Sequence, residues 1–502
     1  MRAQGLYSSK GELASRNLKA RVTLGGREKK LSTLSLPAQI PSQAISNSKK
    51  RAAKLTLWPL VAATFFMVSG GTYGTEAIIS GAGYGRGILV LLFLPVLWCL
   101  PTAFMIGELS SALPQEGGYY AWVRRGLGNF WGFQEAWLSL AASIFDMAIY
   151  PTLFVFYLKQ MSPWFGEGNH GILAGLFVVI ACAALNLAGI RVVGITSLWL
   201  FFLLSLPFGL IVLLTPVKLG AFASEPHVAS TGASVGLLGA VLVAMWNYMG
   251  WDNASTIAQE VERPQRTYPR AMIAAVILVS LTYVLPFLAV YFTGTPASAF
   301  AEDGSWAAIA GQLGGKVMGF EWLRFMVTIG GMMSAFGMFN ALVMSYSRLP
   351  LAMAKDGMMP KIFGKVTRKN ETPWVAIVVL ASCWALCLGL GFKRLVTLDI
   401  MLYGAALMLE FVTLVVLRVR EPKLKREFRV PGGMAGAVTC GIFPLGLLLL
   451  SLVESDHETI LGMNGLLFGM IIVVAGFAMY YATRKIQARF ASEAAPQGAA
   501  AG

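Results

Sequence analysis

Three glycines and a carboxylate follow an apolar run in the segment VSGGTYGTE, residues 68–76. Gly70, Gly71 and Gly74 weaken a helix there, because glycine loses the most backbone freedom on folding. A spanning helix tolerates such a break only where protein or a watery cavity satisfies the freed backbone groups. The N–H groups that begin the next half-helix can hold a carboxylate, and the carbonyls that end the previous one can hold an ammonium or a cation. The segment therefore predicts half of a binding site that recognises a zwitterion with few charged side chains.

A second break interrupts the sixth apolar run, LLGAVLVAMWNYMGWDNASTIAQEVERP, residues 237–264. The interrupting residues are Trp246, Asn247, Tyr248, Gly250, Trp251, Asp252 and Asn253. Broken helices at positions one and six of a ten-span unit are typical of an inverted repeat of five plus five spans. A lone glycine more often marks close helix packing. The pairing of two breaks with polar neighbours instead favours one shared site at the membrane midplane.

Acidic residues within apolar runs are the next candidates for chemistry. Asp146 lies mid-run in AASIFDMAIYPTLF, where an ionisable side chain costs about 2.5–3.5 kcal/mol on insertion scales. We predict that it faces the bundle interior and pairs with a substrate amine or carries a proton; a structural hydrogen bond is the alternative. Glu76 and Asp252 follow the two breaks and are predicted to serve in coupling or proton transfer, with helix capping as the alternative. Four acids nearer span ends are predicted to be solvated or paired locally: Glu108, Glu135, Asp399 and Glu410.

The elements that position these residues follow from composition. Of the 502 residues, 56% are hydrophobic and 13% charged, against about 45–50% and about 25% in average soluble domains. Apolar runs of about 18 or more residues, long enough to cross the hydrocarbon core as helices, recur along the chain. We therefore predict an all-α integral membrane protein with twelve transmembrane helices. Their bounds are about 55–83, 87–112, 130–158, 171–190, 192–215, 235–259, 269–292, 322–347, 374–391, 395–417, 434–453 and 463–483.

The basic residues predict the orientation of these spans. If the N-terminus is cytoplasmic, most of the 40 Lys and Arg residues fall on the cytoplasmic side, as the positive-inside rule requires, and both termini lie there. Because they alternate with spans instead of forming one patch, nucleic acid is not a predicted partner. Residues 1–54 are rich in Lys, Arg, Ser, Gly and Pro and are predicted to be a disordered cytoplasmic tail.

The predicted organisation has three parts. Residues 55–485 form the twelve-helix domain, and residues 486–502 form a cytoplasmic C-terminal tail. Within the domain, residues 55–215 are the first repeat, 235–417 the second repeat, and 434–483 two additional C-terminal helices.

Several segments resemble the amino acid/polyamine/organocation superfamily of secondary transporters, over residues 55 to about 485. GELSSALPQEGGYYAWVRRGLG is similar to the loop after its second span, WNYMGWDNASTIAQEVERPQRTYPRA to its broken sixth span, and LRVREPKLKREFRVPG to its tenth-span exit. Four further segments resemble the plant and trypanosomatid polyamine uptake carriers: VSGGTYGTEAIISGAGYG, WGFQEAW, DMAIYPTLFVFYL and FGMFNALVMSYSRLPLAMAKDGMMP. The resemblance implies a leucine-transporter-type core of ten helices, with helices 1 and 6 broken and two helices added, and alternating access.

The resemblance also implies a substrate site. Its backbone contacts would come from Ser69, Gly70, Gly71, Thr72, Asn247, Tyr248 and Gly250. Trp246 matches the aromatic residue that caps the substrate of arginine/agmatine exchangers, and Asp252 matches their acid after the sixth-span break. Polyamine carriers place acids in the eighth span where this sequence has Leu342 and Tyr346. Since a polycation needs more than one carboxylate, this departure favours an amino acid as the substrate.

These features predict a secondary permease that takes up amino acids by alternating access, with Asp146 near the substrate amine and Glu76 as a further candidate for that position. A polyamine such as putrescine or spermidine is the alternative substrate. Protons are the favoured coupling ion because titratable acids lie in the core. Carbonyls before the first break and Ser334 of the eighth span form a candidate cation site. The alternative of another class is a nutrient sensor that binds without transporting.

An enzyme is not predicted, because the spans carry no His/Cys cluster with metal-ligand spacing. No metal and no other cofactor is predicted either. The predicted partners are a small-molecule substrate, a proton and the lipid bilayer. The predicted location is the cell membrane, as a multi-pass protein of a bacterial inner membrane or a eukaryotic plasma membrane.

Overall fold

The computed structural model describes residues 55–115, 117–188, 190–217, 236–301, 305–318, 322–368, 371–455, 459–460 and 462–494. The predicted N-terminal tail, residues 1–54, lies outside this part of the chain, as do residues 495–502. The last helix extends to Ala494, so the first part of the predicted C-terminal tail is helical.

Helices form nearly all of the described residues, which confirms the predicted all-α class. The α-helices are α1 (Leu57–Val68), α2 (Glu76–Leu94), α3 (Leu100–Ala112), α4 (Gly118–Leu127), α5 (Asn129–Met161), α6 (His170–Ala188), α7 (Ile190–Val217), α8 (Gly236–Asn247), α9 (Pro264–Tyr291), α10 (Ser305–Met318), α11 (Trp322–Lys355), α12 (Trp374–Leu386), α13 (Phe392–Arg420), α14 (Gly433–Ser455) and α15 (Gly465–Ala494). A π-helical turn spans Pro95–Cys99, and 3-10 helices span Pro163–Gly166, Trp251–Glu260, Ala297–Phe300 and Lys361–Gly364. The strands β1 (Thr459–Ile460) and β2 (Met463–Asn464) form one antiparallel hairpin.

Eight helical stretches within the described residues are long and apolar enough to cross a membrane. Three shorter apolar helices accompany them, at Leu57–Val68, Trp199–Leu213 and Trp374–Leu386. The chain is therefore a multi-pass membrane protein. In the most apolar window of α5, 83% of the residues are buried, against 17% in α15. Helix α5 thus lies inside the bundle, whereas α15 presents most of its apolar surface outward, as a lipid-facing helix does.

The predicted boundary between the first two spans falls inside α2. Gly83 has φ 75° and ψ 168°, outside the helical range, and separates two helical segments within Glu76–Leu94. Glycine adopts this positive φ without the clash that a Cβ would cause. The second segment then continues through the π turn into α3, so residues 76–112 form one long apolar stretch.

The centre of the bundle is built on α5, which packs against α11 and α13, while α4 packs against both α5 and α13. The four acids near the span ends are all buried. Glu108, Glu135, Asp399 and Glu410 are at most 2% exposed, so the predicted solvation is wrong for all of them. Glu135 does pair locally, because it accepts a hydrogen bond from Ser139 at 2.8 Å.

Glu108 neutralises two arginines at one end of the bundle. Arg418 donates to both carboxylate oxygens of Glu108, and the Nε atom of Arg426 lies 3.1 Å from Oε1. The backbone N–H of Val430 donates to Oε2 at 2.7 Å. The carboxylate therefore ties α3 to the end of α13 and to the segment that follows it.

We expect Glu108→Gln to lower the free energy of unfolding by about 3 kcal/mol, because it leaves two guanidinium groups near a buried site without their counter-charge. The matched control is Glu427→Gln, which removes the carboxylate of a more exposed pair with Arg266. Thermal unfolding of the purified protein in detergent measures both. Equal unfolding midpoints for the two variants would contradict the structural role of Glu108.

Candidate substrate cavity between two helix breaks

The first helix is interrupted where the glycines predict. Helix α1 ends at Val68 and α2 begins at Glu76. Between them, Gly71 and Gly74 have φ values of 82° and 83°, a conformation that favours glycine. The hydroxyl of Ser69 accepts the N–H of Gly71 at 3.0 Å. One backbone N–H group freed by the break thus has a hydrogen-bond acceptor within the break itself.

The second interruption follows α8. That helix ends at Asn247, and a 3-10 helix begins at Trp251. Gly250 between them has φ 88°, and its N–H donates to the hydroxyl of Tyr403 on α13 at 3.1 Å. A 3-10 segment after the break differs from the predicted continuation of a regular helix.

Hydrogen bonds join the two breaks to each other and to their surroundings. The side-chain amide of Asn247 donates to the carbonyl of Gly74 at 3.3 Å. Ser334 of α11 donates to the carbonyl of Gly70 at 2.5 Å. The breaks therefore face each other, and the residue predicted for a cation site contacts the first of them.

A cavity lies between the two breaks. Its lining contains predicted site residues from both of them and from α5: Gly70, Asp146, Trp246, Asn247 and Gly250. Five aromatic side chains contribute to the wall: Tyr73, Tyr150, Trp246, Tyr346 and Tyr403. Apolar surface comes from Met67, Val68, Met249 and Met338. The cavity thus has the mixed apolar and polar lining of a small-molecule site.

Asp146 is the best-supported polar group of the cavity. It is 6% exposed and accepts hydrogen bonds from Tyr150 at 2.9 Å and Tyr346 at 3.2 Å. The indole N–H of Trp246 lies 3.4 Å from the same carboxylate. These donors hold the carboxylate in one orientation between α5, α8 and α11.

Asp399 of α13 is a second carboxylate in the same cavity. It is 2% exposed, and no hydrogen bond or ion pair reaches it from the described part of the chain. Among the described residues that line the cavity there is no Lys, Arg or His. Two buried carboxylates beside aromatic rings form an environment that suits a cationic ligand.

The other predicted site residues lie outside the described lining. Thr72 donates to the carbonyl of Thr282 at 2.7 Å, and Tyr248 donates to the carbonyl of Leu91 at 3.0 Å. Ser69 and Gly71 hydrogen-bond to each other. These hydrogen bonds stabilise the two breaks, and the residues that form them are not part of the described cavity wall.

Glu76 and Asp252 follow the breaks as predicted, and each accepts a tyrosine hydroxyl. Tyr157 donates to Glu76 at 2.7 Å, and Tyr403 donates to Asp252 at 2.5 Å. Both acids are less than 10% exposed and neither is among the described residues of the cavity wall. Asp252 is nevertheless connected to the cavity, because its hydrogen-bond partner Tyr403 lines the cavity.

Several residues of the wall were not predicted as site residues, and Tyr150, Tyr346, Asp399 and Tyr403 are among them. Tyr346 was considered only as a departure from the polyamine carriers. Tyr150 stands four residues after Asp146, and Tyr403 four residues after Asp399. Residues at that spacing share one face of a helix. An acid followed by a tyrosine at this spacing on two helices is the signal that could have found them.

Comparisons with known proteins extend over the same helices. Residues 61–477 match the family model described as amino acid permease. The polyamine transporter RMV1 of Arabidopsis thaliana is 35% identical over 419 residues, 82% of each chain. The polyamine transporter PUT1 of Oryza sativa subsp. japonica is 33% identical over 429 residues, 84% of this chain and 78% of that protein. The serine/threonine exchanger SteT of Bacillus subtilis is 23% identical over 454 residues, 87% of this chain and 96% of that protein.

Proposed function

The chain belongs to the amino acid permease family of secondary transporters, and we propose that it carries polyamines such as putrescine or spermidine. The sequence favoured an amino acid because Leu342 and Tyr346 stand where polyamine carriers have acids. Its similarity to proteins named as polyamine transporters supports the alternative substrate better. The single observation that carries the proposal is the pair of carboxylates, Asp146 and Asp399, in one cavity.

The lining matches the chemistry of a polyamine. Alkyl amines stay protonated at neutral pH, as the lysine side chain does, and a carboxylate binds an ammonium by a charge-assisted hydrogen bond. Aromatic faces add cation–π attraction of about 0.5–2 kcal/mol. The methylene segments between the amines can pack on apolar side chains such as Met67 and Met338. Asp399, which lies on α13, would supply the second carboxylate that the eighth span lacks.

We propose that transport proceeds by alternating access around this cavity. The proposed framework is the twelve-helix arrangement, with repeats at 55–215 and 235–417 and two added helices at 434–483. Broken helices at the repeat interface place the substrate near the midplane. Both termini are proposed to be cytoplasmic, and the membrane is proposed to be the cell membrane. A proton is the proposed coupling ion, while Ser334 beside the carbonyl of Gly70 is the proposed cation site if sodium serves instead.

An amino acid is a second candidate substrate, and a backbone group favours it. Gly70 lines the cavity, and its N–H makes no hydrogen bond within the described part of the chain. A free N–H at a helix break can bind an α-carboxylate, while Asp146 binds the α-amine. SteT, named as a serine/threonine exchanger, supports this candidate as well.

Uptake into liposomes separates the candidates. The purified protein is reconstituted with an inward proton gradient, and labelled spermidine is compared with labelled serine, threonine and arginine, with protein-free liposomes as the control. We expect spermidine to accumulate and unlabelled putrescine to inhibit its uptake. Accumulation of an amino acid that polyamines do not inhibit would overturn the proposed substrate. Binding of spermidine without accumulation would instead indicate the sensor.

A further inference from the structure

A group of buried polar side chains lies away from the cavity, where α4, α5 and α13 meet. It consists of Tyr119, Glu135, Glu410 and Thr413, which we call the inner acid cluster. Tyr119 and Glu135 are 0% exposed, Glu410 is 1% exposed, and Thr413 is 0% exposed. None of the four is among the described residues that line the cavity. The substrate site therefore gives no role to these buried polar groups.

Each member of the inner acid cluster has an unsatisfied polar atom. The hydroxyls of Tyr119 and Thr413 and the Oε2 atoms of Glu135 and Glu410 are buried without a hydrogen-bond partner in the described part of the chain. Buried polar groups are almost always hydrogen-bonded. Four unpaired atoms contributed by three packed helices therefore point to an exchangeable occupant, such as a proton shared with water.

A further acid, Asp252, interacts with the inner acid cluster. Glu410 interacts electrostatically with Glu135 and with Asp252 of the 3-10 helix, and Tyr119 interacts with all three. The nearest ion pair farther along α13 is formed by Arg418, eight residues or about 12 Å from Glu410 along the helix axis. Arg418 is already paired with Glu108 of α3, and Cys440 of α14 interacts with that pair. No Lys or Arg from the described part of the chain interacts with Glu135 or Glu410. Carboxyls buried together in this way cannot all be ionised, so at least one of them retains a proton.

The cluster is connected to the cavity through two residues. Asp252 interacts electrostatically with Glu135 and Glu410 and accepts the hydroxyl of Tyr403 at 2.5 Å. That hydroxyl also accepts the N–H of Gly250 at the second break, and Tyr403 lines the cavity. A change of charge in the cluster therefore acts on a hydrogen bond that holds the second break.

We propose that Glu135 and Glu410 form the proton-binding site that couples substrate uptake to the proton gradient. This inference rests on the proposed transport function. A proton from the side of higher concentration binds a carboxylate oxygen of the pair and leaves to the opposite side in the other conformation. Protonation removes negative charge facing Asp252 and so changes its hydrogen bond with Tyr403. Besides Asp252, the ionisable groups of the described residues that interact with the pair are Tyr119 and Tyr403.

The test compares gradient-driven accumulation with exchange. Glu135→Gln, Glu410→Gln and the double variant are reconstituted beside the wild type in sodium-free liposomes, with the membrane potential clamped at zero. A gradient of two pH units can drive up to about 100-fold accumulation per coupled proton. We expect the wild type to accumulate labelled spermidine and the double variant to reach only the equilibrium level. Counterflow against internal spermidine needs no proton and is expected to persist, which a misfolded protein would not allow.

The matched control is Glu167→Gln, which removes an exposed acid from the loop before α6; it is expected to accumulate like the wild type. Gradient-driven accumulation by the double variant equal to that of the wild type would overturn the inference and leave the proposed function standing. Wild-type transport that does not depend on the pH gradient would also overturn the inference and leave the proposed function standing. Absence of any transport by the wild type would overturn the proposed function and the inference with it.

A measurement on the wild-type protein tests the same inference if the variants fail to fold. A hydrophobic carbodiimide reacts with protonated carboxyls, and peptide mass spectrometry locates the adduct. We expect modification at Glu135 or Glu410, with a rate that falls as pH rises. Modification confined to other acids would overturn the inference.

Discussion

Asp146→Asn is expected to lower the affinity for spermidine by about 100-fold, because losing the charged partner of a buried, hydrogen-bonded ion pair costs about 2–5 kcal/mol. The amide keeps the shape of the carboxylate. Its oxygen can still accept the hydroxyl of Tyr150, and its NH2 group can donate to the hydroxyl oxygen of Tyr346, so the wall of the cavity should persist. What is lost is the negative charge for the substrate ammonium. Equilibrium binding of labelled spermidine and its uptake at low concentration measure the effect.

The three roles predicted for Asp146 give different results in that experiment. An amine contact loses binding and uptake together, whereas a proton carrier keeps binding and loses only gradient-driven uptake. A structural hydrogen bond would lower the unfolding midpoint instead. The matched control is Thr152→Ala on the same helix, which removes a hydroxyl that donates to the carbonyl of Ala148. Binding by Asp146→Asn within about twofold of the control, which is under 0.5 kcal/mol, would contradict the proposed contact.

Gly250→Ala is expected to reduce uptake per folded protein by more than about tenfold, because the substitution disturbs both breaks at once. The residue has φ 88°, and a non-glycine residue there costs roughly 1–2 kcal/mol. Its Cβ would stand 2.5 Å from the carbonyl oxygen of Met67, closer than carbon and oxygen can approach. Relief requires movement of the end of α1 or of the 3-10 helix.

The matched control for Gly250→Ala is Gly209→Ala in α7. A Cβ at Gly209 meets no atom within 4 Å, so the control adds the same methyl group without a clash. Uptake into liposomes and unfolding midpoints of both variants are compared with the wild type. Equal uptake by the two variants would show that the geometry at Gly250 is not needed for transport.

The sequence by itself determined the helical membrane class, the two interruptions and the candidate carboxylate of α5. These features have local causes. Long apolar runs predict spans wherever they occur, the glycines at 70, 71 and 250 loosen the helix that contains them, and Asp146 is conspicuous in an apolar run. None of these inferences needs knowledge of which helix is the neighbour.

Only the tertiary structure decided which residues share the cavity. Asp399 was predicted to be solvated or paired locally because it lies near the start of its span. The packing of α13 against α5 and α8 instead buries it and turns it to the same cavity as Asp146. Conversely, Thr72 and Tyr248 lie in the breaks but hydrogen-bond to backbone carbonyls on neighbouring helices. Whether a side chain faces a ligand depends on how helices distant in sequence pack, and no local pattern contains that information. The second carboxylate, on which the proposed polyamine substrate depends, therefore emerged only from the folded bundle.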